Sequence, residues 1–223
     1  MEGVFHSERG VGTTHKIVTF ETAHRGVGLF EGMAKVYGLP NMSRPHCNRE
    51  LKVNPMGSYK KSLGLKRNHL AAVGIRIDEI DRMSANATKD GLIYPLIKWS
   101  GATKDQIINW WAKQPFDLEI PEHKGNCVTC WKKSDRKLFT LAKNEPELFE
   151  PFIYLEENYA HAGAGDEKRS MFRKNRTAKD IIASSAQPFV EYTGYETDKQ
   201  LSISFEVDEF DIEADCGASC EVG

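Results

Sequence analysis

The pattern that most restricts the fold of this chain is an alternation of short β-patterned runs with helix-period segments. "HKIVTF", "HLAAVGIR" and "LIYPLI" are β-branched or apolar runs of strand length. Between and after them lie "GLFEGMAKVYG", with Leu29, Phe30, Met33, Val36 and Tyr37 on one helical face and Gly38 as the stop, and "TKDQIINWWAKQ", with Thr103 as N-cap and Pro115 as terminator. Asn48 to Leu63 is weakly helical despite Pro55. "SDRKLFTLAKNEPELFEPFIYLEENYA" carries Leu138, Leu141, Leu148, Phe149, Phe152 and Leu155 as two amphipathic helices broken near Pro146, and "TAKDIIASS" is a further short helix. Such alternation predicts an α/β fold with a mainly parallel sheet, with few strands for a complete doubly wound arrangement. Trp99, Trp110 and Trp111 are expected in the core.

A chain of 223 residues is long enough to bury a core of its own. No apolar run reaches the roughly 18 residues of a membrane span, and "MEGVFHSERG" lacks the form of a signal peptide, so the expected setting is cytoplasmic, with no membrane partner. Thiols stay reduced there, which turns the five cysteines from disulfide candidates into metal ligands or reactive groups. The division expected is an α/β unit over 1–190 and an acidic tail over 191–223 that carries Cys216 and Cys220.

Cys127 and Cys130, in "GNCVTCWKKSDRK", form a C-x2-C pair that can reach one metal from a tight loop. Spacing alone leaves metal and no metal open, because such a site needs a second pair, which the C-x3-C of "DCGASC" could supply. A net charge of −2 conceals strong segregation: the run after Cys130 and "EKRSMFRKNR" are basic, and "FEVDEFDIEAD" is acidic. The basic runs suit an anionic ligand or a solvated face. Lys132, Lys133 and Arg136 beside the thiols would favour thiolate and offset the charge of a thiolate-ligated centre. His123 is a candidate donor to a cysteine sulfur or a packing residue.

"PHCNRELK", "AAVGIRIDEIDR", "YPLIKW", "TKDQIINWW" and "GNCVTCWKKSDRK", in this order and spacing, resemble the phosphoadenosine phosphosulfate (PAPS) reductase family of the adenine nucleotide alpha-hydrolase (PP-loop) superfamily, in particular reductase-like proteins of bacteria and their phages. The resemblance runs from about Thr13 to Arg176 and extends to the tail. It implies a Rossmann-like parallel sheet and a 4Fe-4S iron–sulfur cluster, with zinc as the alternative, on Cys47, Cys127, Cys130 and a fourth ligand among Cys216, Cys220 and His46. A tail cysteine, Cys220 or Cys216, would be the nucleophile that attacks sulfonucleotide sulfur. Arg76 and Arg82, with Lys132, Lys133, Arg136, Arg173 and Arg176, would hold the anion, a planar guanidinium being suited to two oxyanions at once. Arg76 could instead pair with Asp78, Glu79 or Asp81. A thiol donor such as thioredoxin would complete the reaction.

The chain departs from the family in two places. His46 precedes Cys47 where the family has a second cysteine, and nothing ahead of "HKIVTF" matches the opening strand, Ser-Gly-Gly-x-x-Ser loop and helix; Ser7 to Thr13 is expected to be a loop. A sheet incomplete at its N-terminal side follows, with an open edge for a partner chain or self-association. The chain alone is then expected to act poorly on its nucleotide. The competing functions are an ATP-dependent nucleic-acid thiolation enzyme of the same superfamily and a non-catalytic metal-bearing binding module.

Overall fold

Leu138, Leu141 and Ala142 recur at helical spacing, and in the computed structural model they form the buried face of a helix, here α5 (Asp135–Asn144). The structure describes residues 1–8, 10–66, 68–117, 119–163 and 168–194. The Ser134 hydroxyl caps α5 by accepting from the backbone N–H of Lys137. Pro146 cannot continue that helix and opens a 3-10 turn, Pro146–Phe149, that leads into α6 (Glu150–Tyr159). Thr177 caps α7 (Ala178–Ser185) through a reciprocal box, its hydroxyl accepting from the Asp180 N–H at 3.2 Å while Asp180 Oδ2 accepts from the Thr177 N–H at 2.8 Å.

The three helices pack on one another around Phe149, Leu155, Met171, Phe172 and Ile181, joined by Trp131 and by Ala34 and Leu39 from the region of α1 (Gly28–Tyr37). Each large side chain removed from water here is worth about 1.5–3 kcal/mol, so this cluster is the main apolar anchor of the described chain. Gly38 ends α1 at φ 79°, where a Cβ would lie 2.2 Å from the carbonyl oxygen of Ala162.

Ahead of α1, β1 (Glu2–Val4) and β2 (Thr14–Lys16) form an antiparallel pair, with Glu2 opposite Lys16. The pair rests on a π-helical turn, Arg49–Val53, that runs into α2 (Asn54–Ser62). The buried Glu50 carboxylate is its polar hub and accepts from the Thr13 hydroxyl, Arg49 Nε (2.7 Å) and Asn54 Nδ2 (3.0 Å). Burial alone would raise this carboxyl, but these three donors hold it below the usual range.

The middle of the chain holds a second small sheet, β3 (Ala71–Ala72) parallel to β4 (Leu92–Ile93), with a crossover that includes a 3-10 segment over Ile77–Arg82 and the short α3 (Ala87–Asp90). α4 (Lys104–Trp111) follows, capped by Thr103 and Gln106. The architecture is therefore mixed α and β, but the sheets among the described residues have two strands each and only one is parallel. The expected "HKIVTF" strand stops at Lys16, since Ile17 and Phe20 turn to solvent and, among the described residues, no further strand pairs there.

The tryptophans depart from expectation. Trp99, Trp110 and Trp111 are exposed, Trp99 at 72%, whereas Trp131 is buried at 2%. Trp110 and Trp111 meet edge to face at 4.8 Å, and Trp111 meets Phe116 at 5.8 Å. Packing continues past residue 190: the Tyr192 N–H donates to Thr140 Oγ1 at 2.8 Å. No helix among the described residues is long and apolar enough to cross a membrane.

Candidate functional site

The loop from Gly125 to Lys133 is wound by two successive turns, Cys130 N–H to Cys127 O at 3.1 Å and Lys133 N–H to Cys130 O at 3.0 Å. Asn126 takes a left-handed φ of 57° to enter it. Lys133 is buried and its Nζ donates to the Gly125 carbonyl at 2.9 Å, tying the end of the loop to its start. Cys130 points inward beside Trp131, and Cys127 lies exposed one turn away. Cys47 is half-buried and packs against the same apolar cluster that contains Trp131.

Among the described residues no three or more of His, Cys, Asp and Glu gather as a metal-holding group. The thiolate donor type suits iron–sulfur or zinc, yet the described residues by themselves do not form the expected four-ligand set, and Cys216 and Cys220 lie outside them. His46 is buried, with Nε2 3.1 Å from the Gly38 carbonyl, and burial lowers its pKa despite that contact. Burial thus disfavours the charged form of its imidazole, and the Gly38 carbonyl occupies one ring nitrogen.

The cationic residues divide into two groups. Around the cysteine loop, Lys132 is buried at 5% with Nζ 5.2 Å above the Trp131 ring and makes no ion pair among the described residues. The Arg173 guanidinium donates to the Lys132 carbonyl, while its buried Nε has no hydrogen bond among the described residues. Arg176 donates to Asp135 Oδ1 at 2.5 Å and, through Nε, to Arg173 O at 3.0 Å. Lys132, Lys133, Arg173 and Arg176 are therefore brought to one place beside the C-x2-C loop. Arg136 turns instead to the carbonyls of Val190 (3.1 Å) and Glu191 (2.9 Å), and so fastens the 190–192 segment onto α5.

The second group lies past the carboxyl end of β3. Arg76 binds Asp78 (3.1 Å) and Glu79 (3.0 Å), and Arg82 pairs with Glu79. Arg76 thus makes, with Asp78 and Glu79, the pairing that stood as the alternative to holding an anion. Burial would raise Asp78, but hydrogen bonds from Arg76 and from the Lys104 backbone hold it below its ordinary value. From there a polar chain runs on: the Lys104 N–H meets Asp78, Lys104 Nζ meets Glu122 Oε1 at 3.0 Å, and Lys137 on α5 meets Glu122 at 3.7 Å. Glu122 also accepts from the Tyr192 hydroxyl, and these donors outweigh the burial that would raise it. His123 meets the Tyr192 ring edge-on at 5.6 Å, and burial together with Lys124 and Lys133 lowers its pKa.

Near the candidate site, a buried carboxylate went unread in the sequence. Glu156 on α6 is buried at 7% and accepts from the Met171 N–H (2.9 Å) and the Ala178 N–H (2.7 Å). Burial raises its pKa against the effect of those two donors. The available signal was a carboxylate next to Leu155 and one turn after Phe152, on the apolar stripe of an amphipathic helix.

No protein-family model matches the chain, and no solved structure matches it. The chain is 34% identical over 155 residues to a curated protein of Escherichia phage lambda, "Uncharacterized nin region protein ORF290". That similarity covers 69% of this chain and 52% of the phage protein, so the chain spans about half the length of the curated relative it matches.

Proposed function

We propose that this chain is a PAPS reductase-like protein whose site binds an adenine sulfonucleotide through arginine and lysine side chains beside a cysteine loop. The observation that carries the reading is the contact between Arg173 and the Lys132 carbonyl, which with the Arg176–Asp135 pair brings two arginines against the segment two to five residues beyond Cys130, where Lys132 is buried. Charge-assisted contacts of this kind suit sulfate and phosphate oxygens. The parallel β3–β4 pair, with Arg76 just past the carboxyl end of β3, agrees with a Rossmann-like, PP-loop type of sheet, in which ligands bind beyond the carboxyl ends of the strands.

In the proposed reaction a tail thiolate, Cys220 or Cys216, attacks the sulfur of the sulfonucleotide. A sulfur–sulfur bond forms, the sulfur–oxygen bond to the phosphate breaks, and the adenosine phosphate leaves with that oxygen. A dithiol donor of thioredoxin type then attacks the S-sulfocysteine, releases sulfite and is itself oxidised to a disulfide. Arg173, Arg176 and Lys132 would hold the anion during attack. Lys133, which ties Gly125, supports the loop. An iron–sulfur cluster or a zinc ion would be held by Cys47, Cys127 and Cys130 with a tail cysteine.

The open edges of β3–β4 and the exposed aromatics of α4 are where a partner chain or second copy would attach under this reading. Calorimetric titration with adenosine 3′-phosphate 5′-phosphosulfate and with ATP tests the assignment. Binding of the sulfonucleotide in preference to ATP, lost in Arg173→Ala, is the expected result. Preference for ATP would move the reading to the thiolation enzyme, and binding of neither would leave a metal-bearing module.

A further inference from the structure

Arg173 and Arg176 stand on a hairpin whose tip is unfavourable on its own. Phe172 and Arg176 form an isolated antiparallel bridge, with the Phe172 N–H 3.0 Å from the Arg176 carbonyl. Between them Lys174 (φ 61°, ψ 29°) and Asn175 (φ 55°) are two successive left-handed residues, neither of them glycine. Left-handed backbone is unfavourable for a residue with a Cβ, less so for asparagine, and such strain persists where the surroundings over-determine it.

The surroundings here are both feet of the hairpin. Met171 and Ala178, at its two ends, are fully buried, and their N–H groups are received by the two oxygens of one carboxylate, Oε1 and Oε2 of Glu156. No other side chain on α6 is used in this way among the described hydrogen bonds. A buried carboxylate carries a desolvation cost that an apolar residue at this position of α6 would not have. Its geometry, one oxygen to each foot, is what that cost sustains.

We propose that Glu156 is a positioning residue: it clamps the two feet of the 171–178 hairpin so that Arg173 and Arg176 are held, strained and preformed, against the Lys132–Asp135 segment. The inference rests on the reading of that segment as an anion site. The carboxylate touches no substrate and acts through the hairpin alone. Its effect is to remove from binding the cost of ordering two long arginine side chains and the loop that bears them.

Glu156→Gln separates this role from simple packing, because glutamine keeps the shape but turns an NH2 toward one of the two feet. One foot then loses its acceptor while the buried charge disappears. Hydrogen exchange of the Phe172–Arg176 amides in the full chain should speed up by about tenfold or more relative to the amides of α5. Binding of adenosine 3′-phosphate 5′-phosphosulfate should weaken by a similar factor. Lys174→Gly, which removes the left-handed strain, should slow hairpin exchange severalfold in the otherwise unaltered chain and should restore protection in the Glu156→Gln background.

Unchanged hairpin exchange in Glu156→Gln would overturn the clamp. A loosened hairpin with undiminished binding would overturn the positioning role. Should Glu156→Gln fail to fold, Lys174→Gly alone decides: faster or unchanged hairpin exchange would overturn the strained, preformed hairpin. An unaltered chain that does not bind the sulfonucleotide would overturn the reading of the anion site and with it what the hairpin positions, while the exchange result would still decide whether Glu156 clamps.

Discussion

The helical region from Trp131 to Ser185 and the central region from Leu70 to Ile120 are both rich in apolar side chains, and they use them in opposite ways. In the helical region α5, α6 and α7 face one another, and Phe149, Leu155 and Ile181 are buried completely or nearly so. In the central region the paired strands are two residues long, and α4 shows Ile108, Trp110 and Trp111 to solvent. Apolar content is therefore a poor guide to where stability resides. What decides it is whether a second element faces the first at the spacing its side chains require. The polar groups follow the same division: the central region is held by the ion-pair chain from Arg76 to Lys137, and the helical region has, among the described residues, one buried carboxylate set among apolar side chains.

The sharpest test of this contrast is truncation of one aromatic in each region. Phe149→Ala removes a fully buried ring and should cost about 3–5 kcal/mol of unfolding free energy. Trp110→Ala removes a larger but exposed ring and should stay within about 0.5 kcal/mol. Chemical denaturation followed by far-ultraviolet circular dichroism measures both. A large loss at Trp110 would mean that α4 is covered in solution, and the contrast between the regions would fail.

Helix caps give a smaller and more local comparison. Thr177 and Thr103 make the same reciprocal box at the starts of α7 and α4. Thr177→Ala should lower global stability by about 1 kcal/mol, because α7 is part of the core. The same change at Thr103 should speed exchange within α4 alone and leave the global midpoint nearly unmoved. Equal global losses would show that α4 is as cooperative with the core as α7.

The helices were legible in the sequence because their signals are local. Thr103, Gly38 and Pro146 act within a few residues, and each stands where its chemistry places it. β1 carried no such signal, since a three-residue strand exists only through its pairing with β2. The exposed tryptophans were misplaced for a related reason: a side chain's preference for apolar surroundings does not say whether an element is there to provide them. At the candidate site, the cysteine pair and its basic run are one contiguous stretch and could be found at once. That Lys133 turns back to Gly125, that Arg173 meets Lys132 across 41 positions, and that Glu156 holds both feet of a hairpin follow only from packing.

The smallest effect expected is a change of slope with pH, and Asp78 and Glu122 in the central region carry the opposite sign from Glu156 in the helical one. In the central region Asp78 and Glu122 lie below their ordinary values of 3.8 and 4.5. Below those values the unfolded chain binds protons that the folded state resists, so the stability these groups contribute, present above them, is lost as pH falls through their lowered folded values. Glu156 lies above its ordinary value of 4.5, chiefly through burial, with Asp180 adding to the rise and the Met171 and Ala178 N–H groups and Lys168 opposing it. Here the folded state holds the proton more tightly, so its contribution is fully present below 4.5 and is lost as pH rises from there through the raised folded value. Acidification from neutral pH should therefore first stabilise the fold around Glu156 and then, below about pH 4.5, weaken the central region. Hydrogen exchange resolved by segment across this range should show 76–111 losing protection while α6, over 150–159, keeps it. In Glu156→Gln the helical region should lose the part of its pH dependence that lies above 4.5, and an unchanged slope there would place the raised carboxyl elsewhere in the molecule.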